Sequence, residues 1–181
     1  MDLVGNAVCL DFVNTVDKRP SPDRDDLTTA GGLVAWAEAA GLGPRLTAGA
    51  DERLADAVAL REAVHRVFAA VADEHEPPQD DLDAVFAWYA RAVLAATPRR
   101  EGTHYTLTWP RPSTADEILG AVAASAVRLL VEGPLDRVGA CPSCGWLFFD
   151  TSRNGTRRWC SMATCGSRSK ARRYFAGHRN H

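Results

Sequence analysis

No stretch of the 181-residue sequence approaches the roughly 18 consecutive apolar residues that a membrane-spanning helix needs, so no helical span is expected. The opening MDLVGNAVCLDFVNTV sets no basic residues ahead of its apolar ones, which speaks against a secretory leader and for a cytoplasmic protein. Internal repeats and low-complexity tracts are missing as well, and with 46% hydrophobic and 24% charged residues the chain has the composition of a folded domain. Catalytic signatures are equally scarce. There is no nucleophile motif, no phosphate-cradling glycine loop and no histidine-carboxylate pair at a working spacing, so the protein is not read as an enzyme. Two further scarcities are local. The first 140 residues hold one cysteine, Cys9, and the last 41 hold one acid, Asp150.

These local scarcities set the C-terminal segment apart. From Cys141 onward eight Lys or Arg stand against Asp150 alone, a charge of +7, whereas residues 1–140 carry 13 basic and 22 acidic residues, a charge of −9; the two sum to the chain's −2. Such a split predicts two units with different partners, the basic one suited to a polyanion.

The long first part reads as helical. Between residues 51 and 75, Leu54, Ala57, Val58, Val64, Val67, Phe68 and Val71 share one broad helical sector. Pro77 and Pro78 stop that helix, and residues 80–96 repeat the pattern with Leu82, Val85, Phe86, Tyr89 and Val93. A third helix, 114–132, is apolar on nearly every side and is expected in the middle of the bundle. A shorter one is expected at 33–40, and one strand at 104–110, where HYTLTWP alternates. Gly133 and Pro134 mark the boundary between a helical domain, 1–136, and a small terminal module, 137–181. So short a linker predicts that the two dock. Cys9, flanked by apolar residues, is expected to be a buried small hydrophobe.

The terminal module answers to metal chemistry. Cys141 and Cys144 form a CxxC pair with Gly145 next in the chain; after fifteen residues, Cys160 and Cys165 form a second pair. In a reducing compartment such clustered thiols read as zinc ligands before disulfides, and two short loops facing each other deliver four sulfurs to one tetrahedral ion. Asn154 and Gly155 favour a tight turn between WLFFD and TRRWC, so a hairpin is expected there, with a helix from Cys165 to about Ala176. The fold class is therefore mainly α with a minor strand, joined to a treble-clef-like finger of knuckle, β-hairpin and helix. Four thiolates leave zinc no open position, which makes one structural Zn²⁺ the expected cofactor.

WCSMATCGSRSKARR resembles the signature of the CGNR zinc finger family, named for a Cys, Gly, Asn, Arg run; Ser167 stands where the family has Asn. Upstream, GNAVCLDFVNTVD resembles the opening of the ABATE domain, which accompanies this finger in proteins described as stress-induced transcription regulators. The resemblance implies a bacterial regulator that binds DNA through its finger.

Helical geometry sorts the basic residues. Arg168 and Arg172 fall on the side of Cys165 and are expected to turn toward the metal, while Lys170 and Arg173 point away and suit phosphates. Arg157 and Arg158 sit on opposite faces of a strand, so one of them should be exposed; both are candidates for nucleic acid. Asn6, Asp11, Asn14 and Thr15 interrupt an apolar run and could line a small-ligand pocket, or cap a helix and satisfy buried backbone. Trp146 and Trp159 are expected to pack over the metal site. The residues support two functional readings. One is a DNA-binding regulator whose helical domain senses an effector or forms a homodimer; the other is an interaction or ligand-binding module whose finger only completes the fold.

Overall fold

The computed structural model describes residues 2–19, 22–43 and 49–178, with 173–178 described by their backbone. In chain order the elements are α1 Val8–Val13, α2 Ala30–Ala39, α3 Leu54–Ala72, α4 Gln79–Leu94, β1 Thr97–Glu101, β2 His104–Thr108, α5 Ala115–Glu132, a 3₁₀ turn Leu135–Arg137, β3 Val138–Ala140, β4 Leu147–Phe149, a π turn Met162–Gly166, and α6 Ser167–His178. The protein is thus mainly helical, with two short antiparallel strand pairs, β1·β2 and β3·β4, among the described residues.

The helices form where local chemistry allows. Thr114 and Glu117 close a reciprocal capping box at the start of α5, satisfying two backbone donors that helix formation orphans. Thr29 caps α2 with a single bond, its hydroxyl accepting from the amide of Gly32. In α3 Ala57, Val64, Val67 and Phe68 of the expected sector are buried, Leu54, Val58 and Val71 are half-buried, and Leu60 turns inward beside them. α5 packs against α4 and α1 and buries Ile118, Leu119, Val122, Ala123, Ala126 and Val127, leaving Arg128 and Val131 to solvent at its end. α3 shares the middle of the bundle, packed against α1, α2, α4 and α5 and against β3 and β4.

Several short elements went unforeseen, β3 and the π turn among them. VCLDFV makes the six-residue helix α1, too short to show a helical period, and it fills the core with Cys9, Leu10, Phe12 and Val13. The strand at 104–108 has a partner, β1, whose sequence TPRRE carries no strand pattern and is exposed throughout. Pro98 is tolerated because β1 is an edge strand with only one ladder to serve.

The larger of two hydrophobic clusters spans both units. Val138 and Leu147 from the terminal module are buried together with Phe12, Trp36, Phe68 and Leu119, so the docking predicted from the short linker is observed. Cys9 is fully buried, and burial pushes its thiol up to about 12.

Charged residues pin the outer segments to this core. Arg61 is only 3% exposed, yet its guanidinium donates to both oxygens of Asp25 at 2.6 and 2.9 Å and to Glu62, which also accepts from Arg19. This network ties the loop between α1 and α2 onto α3. Arg66 grips Asp81 in the same bidentate way and fixes α4.

His65 lies at the edge of this network. Burial first, and then the charge of Arg19, hold its pKa down to about 4 from the usual 6.5. The folded state therefore refuses a proton that the unfolded chain accepts, so stability is full above pH 6.5 and declines as pH falls toward 4. Urea titrations across this range should show a His65→Gln variant losing less stability on acidification than the parent. Identical pH profiles would refute the assignment.

Candidate metal centre

The site begins as a hairpin. β3 and β4 pair with Val138 opposite Phe149 and Ala140 opposite Leu147, and the connection between them is the CxxC knuckle itself. The amide of Gly145 donates to the Cys141 carbonyl and the amide of Cys141 to the Trp146 carbonyl, each at 2.8 Å. Closing so tight a loop puts Gly145 at φ +77°, in the left-handed region where a side chain is strained.

The second pair of ligands comes from a π turn. Cys160 precedes it, Ser161 caps it by accepting from the Thr164 amide, and the wider i to i+5 bond from Gly166 to Ser161 swings Cys165 back toward Cys160. Ser167 opens α6 and donates its hydroxyl to the Met162 carbonyl at 3.0 Å, so this residue closes the turn with its side chain.

All four sulfurs lie within 4.8 Å of one another, and Cys144 and Cys160 are 3.5 Å apart. Zinc-sulfur bonds of about 2.3 Å in a tetrahedron set sulfurs roughly 3.8 Å apart, so the cluster fits that ion without rearrangement of the backbone. Cys141, Cys160 and Cys165 are buried and Cys144 is half-buried. The crowding shows in their acidity. A thiol hydrogen bond from Cys160 draws Cys144 down to about 5, while that same bond pushes Cys160 up and burial raises Cys165. A divalent cation relieves the competition for protons by taking all four as thiolates. Zinc is the ion this donor set selects, and with four sulfurs bound its role is structural. Trp146, Phe148 and Trp159 cover the cluster, as expected for a module too small to build a larger core.

The expected hairpin is revised. β4 pairs with β3 upstream, and the stretch 156–160 forms no strand. The turn at 152–155 does form, with Gly155 at φ +61°, but Asp150 fixes the backbone on either side of it. The two carboxylate oxygens accept from the amides of Ser152 and Arg157 at 2.8 and 2.7 Å; the Ser152 hydroxyl first, and then these amides, keep the carboxyl below the usual range.

The other edge of β4 is closed by the N-terminal segment. Phe149 donates its amide to the Gly5 carbonyl at 2.8 Å, and Asn14 acts as a strand surrogate. Its amide nitrogen donates to the Leu147 carbonyl at 2.8 Å and its oxygen accepts the Leu147 amide at 3.0 Å. Asn6 donates to Phe149 and Thr151, and Asp11 accepts from the Gly5 amide. Thr15 donates to Phe12 and receives Arg61. The polar groups of the four residues considered for a pocket are thus engaged in internal hydrogen bonds. Asn6 and Asn14 stitch the chain start to the finger, while Asp11 bonds within the N-terminal segment and Thr15 joins α1 to Arg61 of α3.

The basic residues separate in the same way. Arg157 is not an outward group. It lies over the Phe148 ring at 4.4 Å and donates to the carbonyls of Val4, Phe149, Trp159 and Cys160, leaving little of the guanidinium for a phosphate. Arg158 is the exposed member of the pair, set over Trp159 at 5.4 Å. Arg172 folds back to the knuckle, donating to Ser143 at 2.8 Å. Arg168 is exposed, and its charge acts on Lys18 in the loop after α1. Lys170 is exposed, and the side chain of Arg173 lies outside the described residues. A groove of about 510 Å³ opens between the turn and the π turn, lined by Thr156, Arg158, Trp159 and Met162 among others. Sequence reasoning missed Arg61, although a charge inside the apolar sector of α3 was its signal.

Four thiols closing on one point under two tryptophans, carried by a hairpin and the start of a helix, define a structural zinc finger, here docked on a helical bundle. Compared with known families, residues 137–178 match the CGNR zinc finger and residues 6–133 match ABATE, whose description is "Putative stress-induced transcription regulator". The ABATE match covers more than half of the chain, and the chain belongs to that family. No curated protein matches it.

Proposed function

We propose that this protein is a cytoplasmic, non-catalytic transcription regulator that binds DNA through its zinc finger, residues 137–181, and uses the helical unit, 1–136, to sense an effector or to pair with a second copy. The observation that carries this reading is the charge of the finger surface. Arg153, Arg158, Arg168, Lys170 and Arg172 are exposed on it, while the one acid, Asp150, is 3% exposed with both oxygens taken by backbone amides. Even with two charges neutralising a four-thiolate zinc, the segment keeps an excess of five from its +7. Arg158 and Lys170 supply phosphate contacts in this reading, and Arg173 continues the same helix; Arg157 instead shapes the finger. The groove beside Trp159 gives a flat aromatic and an arginine side by side, a pairing suited to a base or a sugar-phosphate edge.

Binding of zinc-loaded protein to genomic DNA fragments over a salt series tests this. Saturable binding should fall steeply with salt, and an Arg158→Ala, Lys170→Ala variant with intact zinc should show a shallower salt slope, by about one to two. Absence of binding at low salt would defeat the proposal. It would favour the second reading, a module whose finger completes the fold, which draws support from the burial of Leu147 and Val138 in the shared core.

A further inference from the structure

Helix α4 is half unpartnered. It packs on α3 and α5 through Asp81, Leu82, Val85, Trp88 and Tyr89, but its other side carries Phe86, 42% exposed, and Leu94, 89% exposed, with Ala87 and Ala90 between them. At 100° per residue, Asp83, Phe86, Ala87, Ala90 and Leu94 fall within a sector of about 100°, the width of a helix face that buries itself against something. Charge is segregated between the two ends of this face. Asp80 and Asp83 are exposed at its start, with Glu74 and Glu76 in the preceding turn; Arg91, at the edge of the face and over the Trp88 ring at 4.7 Å, and Arg99 and Arg100 of the adjoining β1 are exposed at its end. Trp109 donates to the Ala92 carbonyl at 2.8 Å and holds the β1·β2 ribbon at that end.

A face that is acidic at one end, apolar and small in the middle and basic at the other is complementary to itself when turned through 180°. We infer that α4 is the two-fold contact of a homodimer, crossing its copy antiparallel near Ala87. In that register Asp83 comes opposite Arg91 of the second copy, and the acidic start of each α4 lies toward the arginines of the other ribbon. Such an isologous contact satisfies each charge twice by symmetry, and alanines at the crossing let the two backbones approach. An unrelated partner would need an apolar stripe flanked by charges in this same order, which a second copy supplies without further assumption. The inference deepens the two-copy element of the proposed function, and its test involves no DNA, so either can fail alone.

Sedimentation equilibrium of the zinc-loaded full chain, 19.6 kDa per copy, is the deciding experiment. The parent should sediment as two copies at micromolar concentration. Ala87→Arg should weaken association at least about tenfold while zinc content and helical signal stay unchanged. Asp83→Arg should weaken it as well, and the double exchange Asp83→Arg, Arg91→Asp should restore it, because the pair is only inverted. Should Ala87→Arg fold poorly, Leu94→Lys, at an almost fully exposed position, takes its place. A parent that stays single-copy at about 100 μM overturns the proposal, as does a dimer indifferent to these variants; in the first case the face serves another protein or nucleic acid.

Discussion

Removing zinc is expected to unfold the helical unit along with the finger. The four cysteines hold the knuckle against the π turn, and the same hairpin that carries the knuckle places Val138 and Leu147 in the shared core, against α1 and α3. Structural zinc binding contributes about 10–16 kcal/mol in small modules, comparable to or larger than the whole stability of a typical domain at ~5–15 kcal/mol. Loss of the ion therefore leaves β3 and β4 without the constraint that shapes them and opens one wall of the core. Chelation, or a Cys160→Ser substitution, should abolish the cooperative thermal transition or lower its midpoint by tens of degrees, on the order expected for losses of this size. The transition should remain a single one with zinc bound. Circular dichroism with parallel zinc assays checks both points. A helical unit that melts at its original temperature after the metal has gone would show that the finger is an independent appendage.

Asn14→Ala is expected to cost roughly 3–5 kcal/mol, an unusually large loss for one polar side chain. Asn14 is 2% exposed, and both ends of its amide bond the backbone of Leu147, itself buried. Truncation leaves a peptide N–H and a C=O buried without partners, at ~1–3 kcal/mol each. Asn14→Asp separates the contributions. Its carboxylate still accepts from the Leu147 amide but sets a second oxygen against the Leu147 carbonyl, so it should not rescue. Asn6→Ala, at an exposed site with bonds to Phe149 and Thr151, serves as the mild control, with an expected cost under about 1 kcal/mol. Urea denaturation at pH 7 measures all three. A loss for Asn14→Ala as small as the control would mean that β4 does not rely on this amide.

The contrast between Arg157 and Arg158 carries a broader point. The two are adjacent, equally charged and indistinguishable by composition. One donates to four carbonyls and lies on Phe148; the other faces solvent over Trp159. The expectation that one of them would be exposed rested on a strand at 156–160 that does not form. Which of them turned inward depended on where Val4 and Phe149 come to rest.

What was legible in the sequence was local. The zinc ligands could be found because metal coordination demands particular atoms at short spacings, and Cys141, Cys144, Cys160 and Cys165 satisfy that demand in two loops. α3, α4 and α5 could be found because an apolar face repeats every three to four residues, and their ends because threonine, proline and glycine act on the neighbouring backbone. The tertiary structure decided what depends on residues distant in the chain. β1 exists because β2 offers it hydrogen bonds, since TPRRE has no strand preference of its own. β4 pairs with β3 and the N-terminal segment because Asn14, 133 residues away, and Gly5 take the edge that a local hairpin would have used. Arg61 lies buried because Asp25 and Glu62 converge on it. Short-range pattern governs helices, caps and ligand loops; the pairing of edges and the burial of charge are settled only when separate segments meet, because each needs a partner that its own neighbourhood does not contain.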